Sequence, residues 1–256
     1  MSRVTILGCG PAGLAAAAAV VSSGQEAVIV SNTREPSRQY GCQYLHAPIP
    51  GYENAPHARV GYWLIGTAEE YRQKVYGDKW QGKVSPEDFI GEHDAWDIRW
   101  TYREMWSRLI DGGLAWIHVD EPIADGRIPP CVYDLRSERI ISTIPAPALC
   151  WKKEHEFRYH AIFANGSTTE SPRTDNMIIC DGTDQNAWYR ISNVFGYKTT
   201  EWAKAPIGTR GGVMVPKPLV TDCDCHPEIH RVGRYGKWQK SYLVHEVYPE
   251  VMELVR

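Results

Sequence analysis

The sequence predicts an α/β fold organised around an N-terminal dinucleotide-binding βαβ unit, on three observations. A short β-branched run, Val4–Leu7, leads straight into the glycine-spaced turn Gly8-Cys9-Gly10-Pro11-Ala12-Gly13. The turn opens an Ala-rich segment without helix breakers, Leu14–Ser22. A second apolar run, Ala27–Val30, follows within a few residues. Strand, tight turn, helix and strand in that order form the context in which a GxGxxG motif carries meaning. Gly8 permits the tight turn, Gly10 lets a pyrophosphate approach the backbone, and Gly13 lets helix and strand pack closely, with the helix N-terminus facing the phosphates.

Beyond this unit the chain from Ser31 to Gly66 is rich in Pro, Gly, Tyr and His and shows no periodicity, so it reads as a long functional loop. Thr67–Tyr76 reads as a helix, begun by a capping box of Thr67 with Glu70. Ile98–Ile110 reads as a second helix, whose Trp96, Trp100, Tyr102 and Trp106 fit a ring-rich face packed on a sheet. Strands are expected at Ala115–Val119, Arg139–Ile144, Phe157–Phe163, Asn176–Ile179, Trp188–Val194 and Ile229–Val232, and a C-terminal helix at Lys240–Val255. No internal repeat or low-complexity linker divides the chain. We therefore expect one domain whose dinucleotide-binding segments (about 1–50, 110–150 and 225–256) are interrupted by inserted, substrate-facing segments (about 51–109 and 151–224).

Composition narrows the function. The chain has 256 residues, 43% hydrophobic and 23% charged, which excludes disordered and collagenous classes. A net charge of −3 argues against a surface that is a phosphate trap throughout. Ten Trp and fourteen Tyr against four Phe favour rings with a polar handle, suited to lining sites as well as filling cores. Seven Cys without the regular spacing of a secreted scaffold point to a reduced chain, expected in the cytoplasm. Glycines and Pro11 interrupt the N-terminal apolar stretch, so it is not read as a signal peptide. The longest apolar run, Leu14–Val21, is short of the roughly 20 residues a membrane span needs.

Four segments carry a resemblance. The turn Gly8-Cys-Gly-Pro-Ala-Gly13 looks like the flavin-adenine dinucleotide form of the fingerprint. Ile140-Ile-Ser-Thr-Ile-Pro-Ala-Pro147 resembles the strand-to-loop segment of amine-oxidase-like and UDP-galactopyranose-mutase-like flavoproteins, where Thr143 stands near the cofactor. Gly41-Cys42-Gln43-Tyr44-Leu-His46 stands where that family carries a loop under the flavin. Gly233-Arg234-Tyr235-Gly236 resembles its closing motif. The resemblance implies a Rossmann-like FAD-binding fold with a reduced inserted substrate region. It further implies cofactor contacts from Gly8, Gly10, Pro11, Ala12, Gly13, Ser31, Asn32, Arg38, Gly41, Cys42, Gln43, Val119, Thr143, Gly233, Arg234, Tyr235, Gly236 and Trp238. One departure stands out, since Ser31-Asn32 replaces the acid that usually takes the ribose hydroxyls; NADP held through Arg34 or Arg38 is the rival reading. The combination of Gln43–Gly51 with Gly233–Trp238 and His245-Glu-Val-Tyr248 is also similar to small phage-encoded FAD-dependent lyases of thymidine hypermodification.

That resemblance implies oxidative cleavage of a carbon–nitrogen bond, on a modified thymine in double-stranded DNA or on a small-molecule amine. A UDP-galactopyranose-mutase-like activity and a non-catalytic flavin module are the alternatives. Gln43, Tyr44 and His46 are the candidates beside the flavin ring. Arg190 is the candidate carboxylate clamp, and His245, with Tyr248 one turn on, the candidate base. Residues 198–240 hold eight Lys or Arg against four acids. Lys198, Lys204, Arg210, Lys217, Lys237 and Lys240 are candidates to track phosphates, with Trp202 and Trp238 for stacking. Asp222-Cys223-Asp-Cys225-His226, with His230 nearby, lacks a matched second pair of ligands, so no metal is expected.

Overall fold

The computed structural model describes residues 2–33, 39–79, 89–165, 171–205, 212–221 and 223–256. The βαβ unit forms as the glycine spacing requires, from β1 (Arg3–Leu7), α1 (Pro11–Ser22) and β2 (Glu26–Ser31). β1 and β2 run parallel, with Val4 beside Ala27 and Leu7 beside Val30. Pro11 at the first helical position lacks an N–H that would be unpaired there anyway. Ala15, Ala16, Ala17 and Ala19 are wholly buried. Their methyl groups keep the backbone close to its neighbours on every side, which include two later helices described below.

The five-stranded sheet is completed by β5 (Ala115–His118), β6 (Arg139–Ser142) and β12 (Ile229–Arg231), in the order β12-β6-β1-β2-β5, with every neighbouring pair parallel. The strand order reverses at β1, and the crevice beyond the carboxyl ends of β1, β2 and β6 is where such sheets take ligands. A single turn, α4 (Pro130–Asp134), lies between β5 and β6. α3 (Ile98–Asp111) packs against α1 beside this sheet, although most of its residues were expected among the inserted segments.

A second, seven-stranded sheet contains β3 (His57–Ile65), β4 (Gly91–Trp96), β7 (Phe157–Asn165), β8 (Met177–Asp181), β9 (Trp188–Val194), β10 (Tyr197–Trp202) and β11 (Val213–Thr221). Its order is β11-β7-β10-β9-β8-β3-β4, antiparallel except between β3 and β8. Four of these strands were not expected. β3 lies inside the stretch read as loop, where Arg59 and Gly61 dilute the apolar pattern. β4 is an edge strand with the polar sequence Gly-Glu-His-Asp. β10 buries Thr199, Thr200 and Glu201 rather than aliphatic residues. β11 carries Pro216 and Pro218, and its place at the sheet edge is what tolerates them.

α2 (Ala68–Tyr76) begins with the expected capping box: Thr67 Oγ1 accepts from Glu70 N at 3.1 Å, and Glu70 Oε2 accepts from Thr67 N at 2.7 Å. The expected C-terminal helix forms as α6 (Val244–Val255), beginning at Val244 rather than Lys240, and a short helix, α5 (Gly233–Lys237), precedes it and ends where Trp238 takes a left-handed conformation at φ 53°. α6 packs along α1, with Val247 and Val251 wholly buried. Tyr248 also joins that core. No helix among the described residues is long and apolar enough to cross a membrane.

Candidate active site

A cavity of about 570 Å³ opens at the crevice beyond β1, β2 and β6. Its floor is the glycine turn, Gly8 to Ala12. The N-cap of α1 is Gly10, with no side-chain cap and no acid in the first turn, so the helix terminus presents its backbone amides to the cavity. Gly8 has φ +99°, a backbone only glycine adopts readily. A Cβ at Gly10 meets no protein atom within 4 Å, leaving the approach open to a ligand. A Cβ at Gly13 would lie 2.0 Å from the Gly8 carbonyl oxygen, so Gly13 serves helix–strand packing and does not line the cavity. Gly233 and Gly236 are likewise packing positions, pressed on Ala12 Cβ and the Ser142 carbonyl oxygen.

At the end of β2, Ser31 is buried and its hydroxyl is spent on Cys9 Sγ (3.3 Å) and Thr33 Oγ1 (3.0 Å). Asn32, the other candidate there, is exposed on the cavity rim. Arg34 and Arg38 lie outside the described residues, as do Arg210 and Asp222. Val119, expected at the cofactor, sits in an apolar cluster away from the cavity. Thr143 lines the cavity and donates its hydroxyl to Leu7 O at 3.0 Å.

The loop Gly41–His46 passes along the cavity wall, and Arg99 holds it there by donating to Gly41 O (3.2 Å) and Gln43 O (3.4 Å). Gln43 turns its amide to Tyr40 O at 2.6 Å. Tyr44 and Tyr62 share a hydrogen bond of 2.7 Å between their hydroxyls. Burial pushes the Tyr44 phenol up to about 12, and Tyr62 well above its ordinary range, so both stay protonated donors. The His46 and His245 rings lie 6.2 Å apart, and His245 stands in the first turn of α6. Burial lowers both imidazoles; for His46 the nearby His245, His93 and Arg234 add to the effect. The His245 Nδ1 is buried without a partner.

The largest electrostatic feature was not legible in the sequence. Glu201, 1% exposed, takes Arg190 on both oxygens (2.5 and 2.7 Å), Lys217 at 3.4 Å, the Tyr189 hydroxyl, and the Cys42 N–H at 2.9 Å. Burial works to raise the Glu201 carboxyl, but Arg190, Lys217 and these hydrogen bonds outweigh it and hold it well below the usual carboxylate range. Arg190 is therefore committed to Glu201 and is not a free clamp; its Nε is buried without a partner. Lys217, expected among the lysines that track phosphates, is instead the second cation on one buried carboxylate. Burial, with help from Arg190 and Arg234 and against Glu201, brings its ammonium down to about 8. Two of its three protons go to Tyr189 (3.1 Å) and Glu201.

Lys217 and Arg190 also line a second cavity of about 710 Å³, walled by Tyr44, Tyr62, Tyr71, Tyr76, Phe89 and Trp238. The shared lining of Tyr44, His46, Tyr62, Tyr76, Arg190, Lys217, Lys240 and Leu243 places the two cavities side by side. Trp238 is 4% exposed with its indole N–H on Arg158 O, and Trp202 is buried, so neither offers a face for stacking outside the pocket. Lys237 pairs with Glu250 at 2.7 Å. Lys198 and Lys204 remain exposed.

No protein-family model matches the chain, and no curated protein matches it. Solved structures do. BrvH, a flavin-dependent halogenase from Brevundimonas sp. BAL3, superposes with a TM-score of 0.53 at 11% identity, over 99% of this chain and 71% of its own. The tetrameric form of 2-methyl-3-hydroxypyridine-5-carboxylic acid oxygenase superposes at 0.51 and 10% identity, over 100% of this chain and 87% of its own. The chain spans 60% of the length of the peptidyl tryptophan dihydroxylase QhpG. The parallel sheet with its glycine turn, the mixed sheet beside it and these likenesses together establish a Rossmann-like FAD-binding fold.

Proposed function

We propose that this chain is an FAD-dependent oxidoreductase that cleaves a carbon–nitrogen bond by oxidising an amine. The observation that carries the cofactor is the uncapped N-terminus of α1, opening with Gly10 onto a cavity that adjoins an aromatic-walled one. Gly8 to Ala12 would hold the pyrophosphate, Asn32 a ribose, and the Gly41–His46 loop the flavin ring. FAD, when bound, accepts a hydride and so serves as the electron sink.

The residues of the second cavity suit a planar substrate that carries an anion. Tyr44, Tyr62, Tyr76 and Trp238 supply ring walls, and Lys217 supplies the cation, the role first given to Arg190. A thymine bearing glycine on its methyl group has both parts. Loss of hydride from its glycine Cα gives an imine, and water then releases glyoxylate and leaves the aminomethyl base. His46 and His245, kept neutral by burial, can take the amine proton. A base in duplex DNA must be flipped to reach this pocket, with exposed Lys198 and Lys204 available to phosphates.

Purified protein is expected to be yellow, and a colourless protein that takes up NADP and no FAD would overturn the reading. Mixed anaerobically with glycine-substituted DNA, the oxidised protein should bleach and release glyoxylate. Bleaching by a free glycine derivative alone would move the substrate to a small amine. Turnover of UDP-galactopyranose only after chemical reduction would favour the mutase alternative. Bleaching by a reduced nicotinamide followed by oxygen uptake would place the chain with the oxygenases instead.

The charge on Lys217 gives a pH test. Below about 8 its ammonium is charged; above it the pocket loses that one charge. Benzoate, a planar anion read through its perturbation of the flavin spectrum, should bind about ten- to a hundredfold more weakly as pH rises through that value, since one charge-assisted bond of about 1.5–3 kcal/mol is lost. In Lys217→Met the affinity should be weak at both ends and flat between them.

A further inference from the structure

We propose that the chain carries a structural zinc site, formed by Cys150, His155, Cys223 and Cys225, that ties together two of the connections between its sheets. In the sequence, the Cys223–His226 cluster lacks a second pair of ligands. The fold supplies that pair from Cys150 and His155, some seventy residues earlier in the chain. One ligand atom from each of the four lies within 4.8 Å of all the others, and all three cysteines are free thiols. His226 takes no part, since its ring is turned to Gly126 O and Glu228 at 2.9 Å each.

The separations match one ion at the centre. Zinc–sulfur bonds of about 2.3 Å and zinc–nitrogen bonds of about 2.0–2.1 Å at tetrahedral angles require S···S edges of about 3.8 Å and S···N edges of about 3.6 Å. Cys150 Sγ and Cys225 Sγ are 3.8 Å apart, and His155 Nδ1 is 3.5 and 3.7 Å from them. An S–S bond of about 2.05 Å would need these two sulfurs drawn much closer. The surroundings are those of a metal site as well. His155 turns its other nitrogen to Asp224 Oδ1 at 3.4 Å, the carboxylate–imidazole pairing that orients a ligating histidine. Arg231 donates to Cys223 O (3.1 Å), Cys225 O (2.5 Å) and Cys223 Sγ (3.6 Å), offsetting the negative charge three thiolates bring.

Three thiolates and one neutral imidazole fill a tetrahedron, leaving no position for substrate or water, and none of the four residues lines either cavity. The role is therefore mechanical. Cys150 and His155 lie on the passage from β6 to β7, and Cys223 and Cys225 on the passage from β11 to β12. Both passages cross from one sheet to the other, so a single ion bound by all four fixes both crossings at one point. On binding, the three thiol protons are released to solvent.

Metal analysis of protein purified under reducing conditions without chelator should find about one zinc per chain. Absence of zinc, persisting after incubation with zinc chloride, overturns the proposal. Cys225→Ser and His155→Ala should each reduce the zinc content to under about one-tenth, while Cys131→Ser, outside the cluster, should leave it unchanged; retention of full zinc by the first two overturns it. If those variants fail to fold, X-ray absorption at the zinc edge of the unaltered protein decides: three sulfurs and one nitrogen support the site, and a shell of oxygen and nitrogen overturns it. An intact mass two hydrogens light, mapped to a Cys150–Cys225 disulfide, also overturns it.

Discussion

Replacing Glu201 by Gln should destabilise the protein by about 3–5 kcal/mol, because it leaves the Arg190 and Lys217 cations in the interior with no counter-charge. Against a typical domain stability of about 5–15 kcal/mol, this is about a fifth of the total or more. The effect reaches beyond the ion pairs. Glu201 Oε1 also accepts the Cys42 N–H and stands 2.8 Å from where a Cβ on Gly41 would be, so the loop along the cavity wall is seated on it. Urea denaturation is the measurement, and a loss under about 1 kcal/mol would show that the cluster is solvated rather than buried. Adding Lys217→Met should recover part of the loss, since only one cation then remains uncompensated. The sign of the pH dependence follows from the lowered Glu201 pKa. Its contribution is fully present above the unfolded carboxylate value of about 4.3 and is lost as pH falls through the lower folded value. Wild-type stability should therefore fall in acid with a component that Glu201→Gln lacks.

The second large effect separates two glycines three residues apart. At Gly13 a new Cβ would stand 2.0 Å from the Gly8 carbonyl oxygen, and backbone cannot move aside as a flexible side chain can. Gly13→Ala should cost about 3 kcal/mol or more, at or beyond the upper end of ordinary overpacking. At Gly10 the backbone is extended, with φ −68° and ψ 178°, and a Cβ meets nothing. Gly10→Val should therefore keep the wild-type unfolding midpoint in the absence of cofactor and yield protein with little or no FAD. Unfolding curves of apo protein and the flavin-to-protein absorbance ratio give both readings. If Gly10→Val bound FAD normally, the pyrophosphate would not lie over the helix terminus.

These two predictions mark what the sequence made legible. The βαβ unit, α2 with its capping box and most of α3 follow local rules: glycine spacing, Thr67 with Glu70, an apolar helical stripe. The pairing of β10 with β9 does not, because the strand is buried on both faces and there holds Thr199, Thr200 and Glu201, residues whose local chemistry favours solvent. Glu201 is buried only because Arg190 and Lys217 arrive from two other strands, a fact no window of sequence contains. The same reason misplaced Lys217 among the phosphate-tracking lysines and left Arg190 as a free clamp. Tyr62 and Arg99 were missed for a different reason: they lie in a strand that polar residues disguised and on a helix read only as a packing element.

The parallel pairing of β1 has a consequence for how this chain reaches its folded state. Val4 lies beside Ala27 on one side but beside Arg139 on the other, and the following residue, Ile140, lies beside Ile229, reached only after the whole second sheet has been traversed. On a ribosome, the glycine turn therefore emerges early with one neighbour, and its sheet stays open until nearly the entire chain has been made. Long-range pairing of this kind slows folding and leaves unpaired strand edges exposed in the interval. Arg234 and His245 join the cavity wall at the end of that wait, so competence to hold a dinucleotide should appear as one of the last folding events. Binding should in turn act as a late lock on a sheet assembled from both ends of the chain.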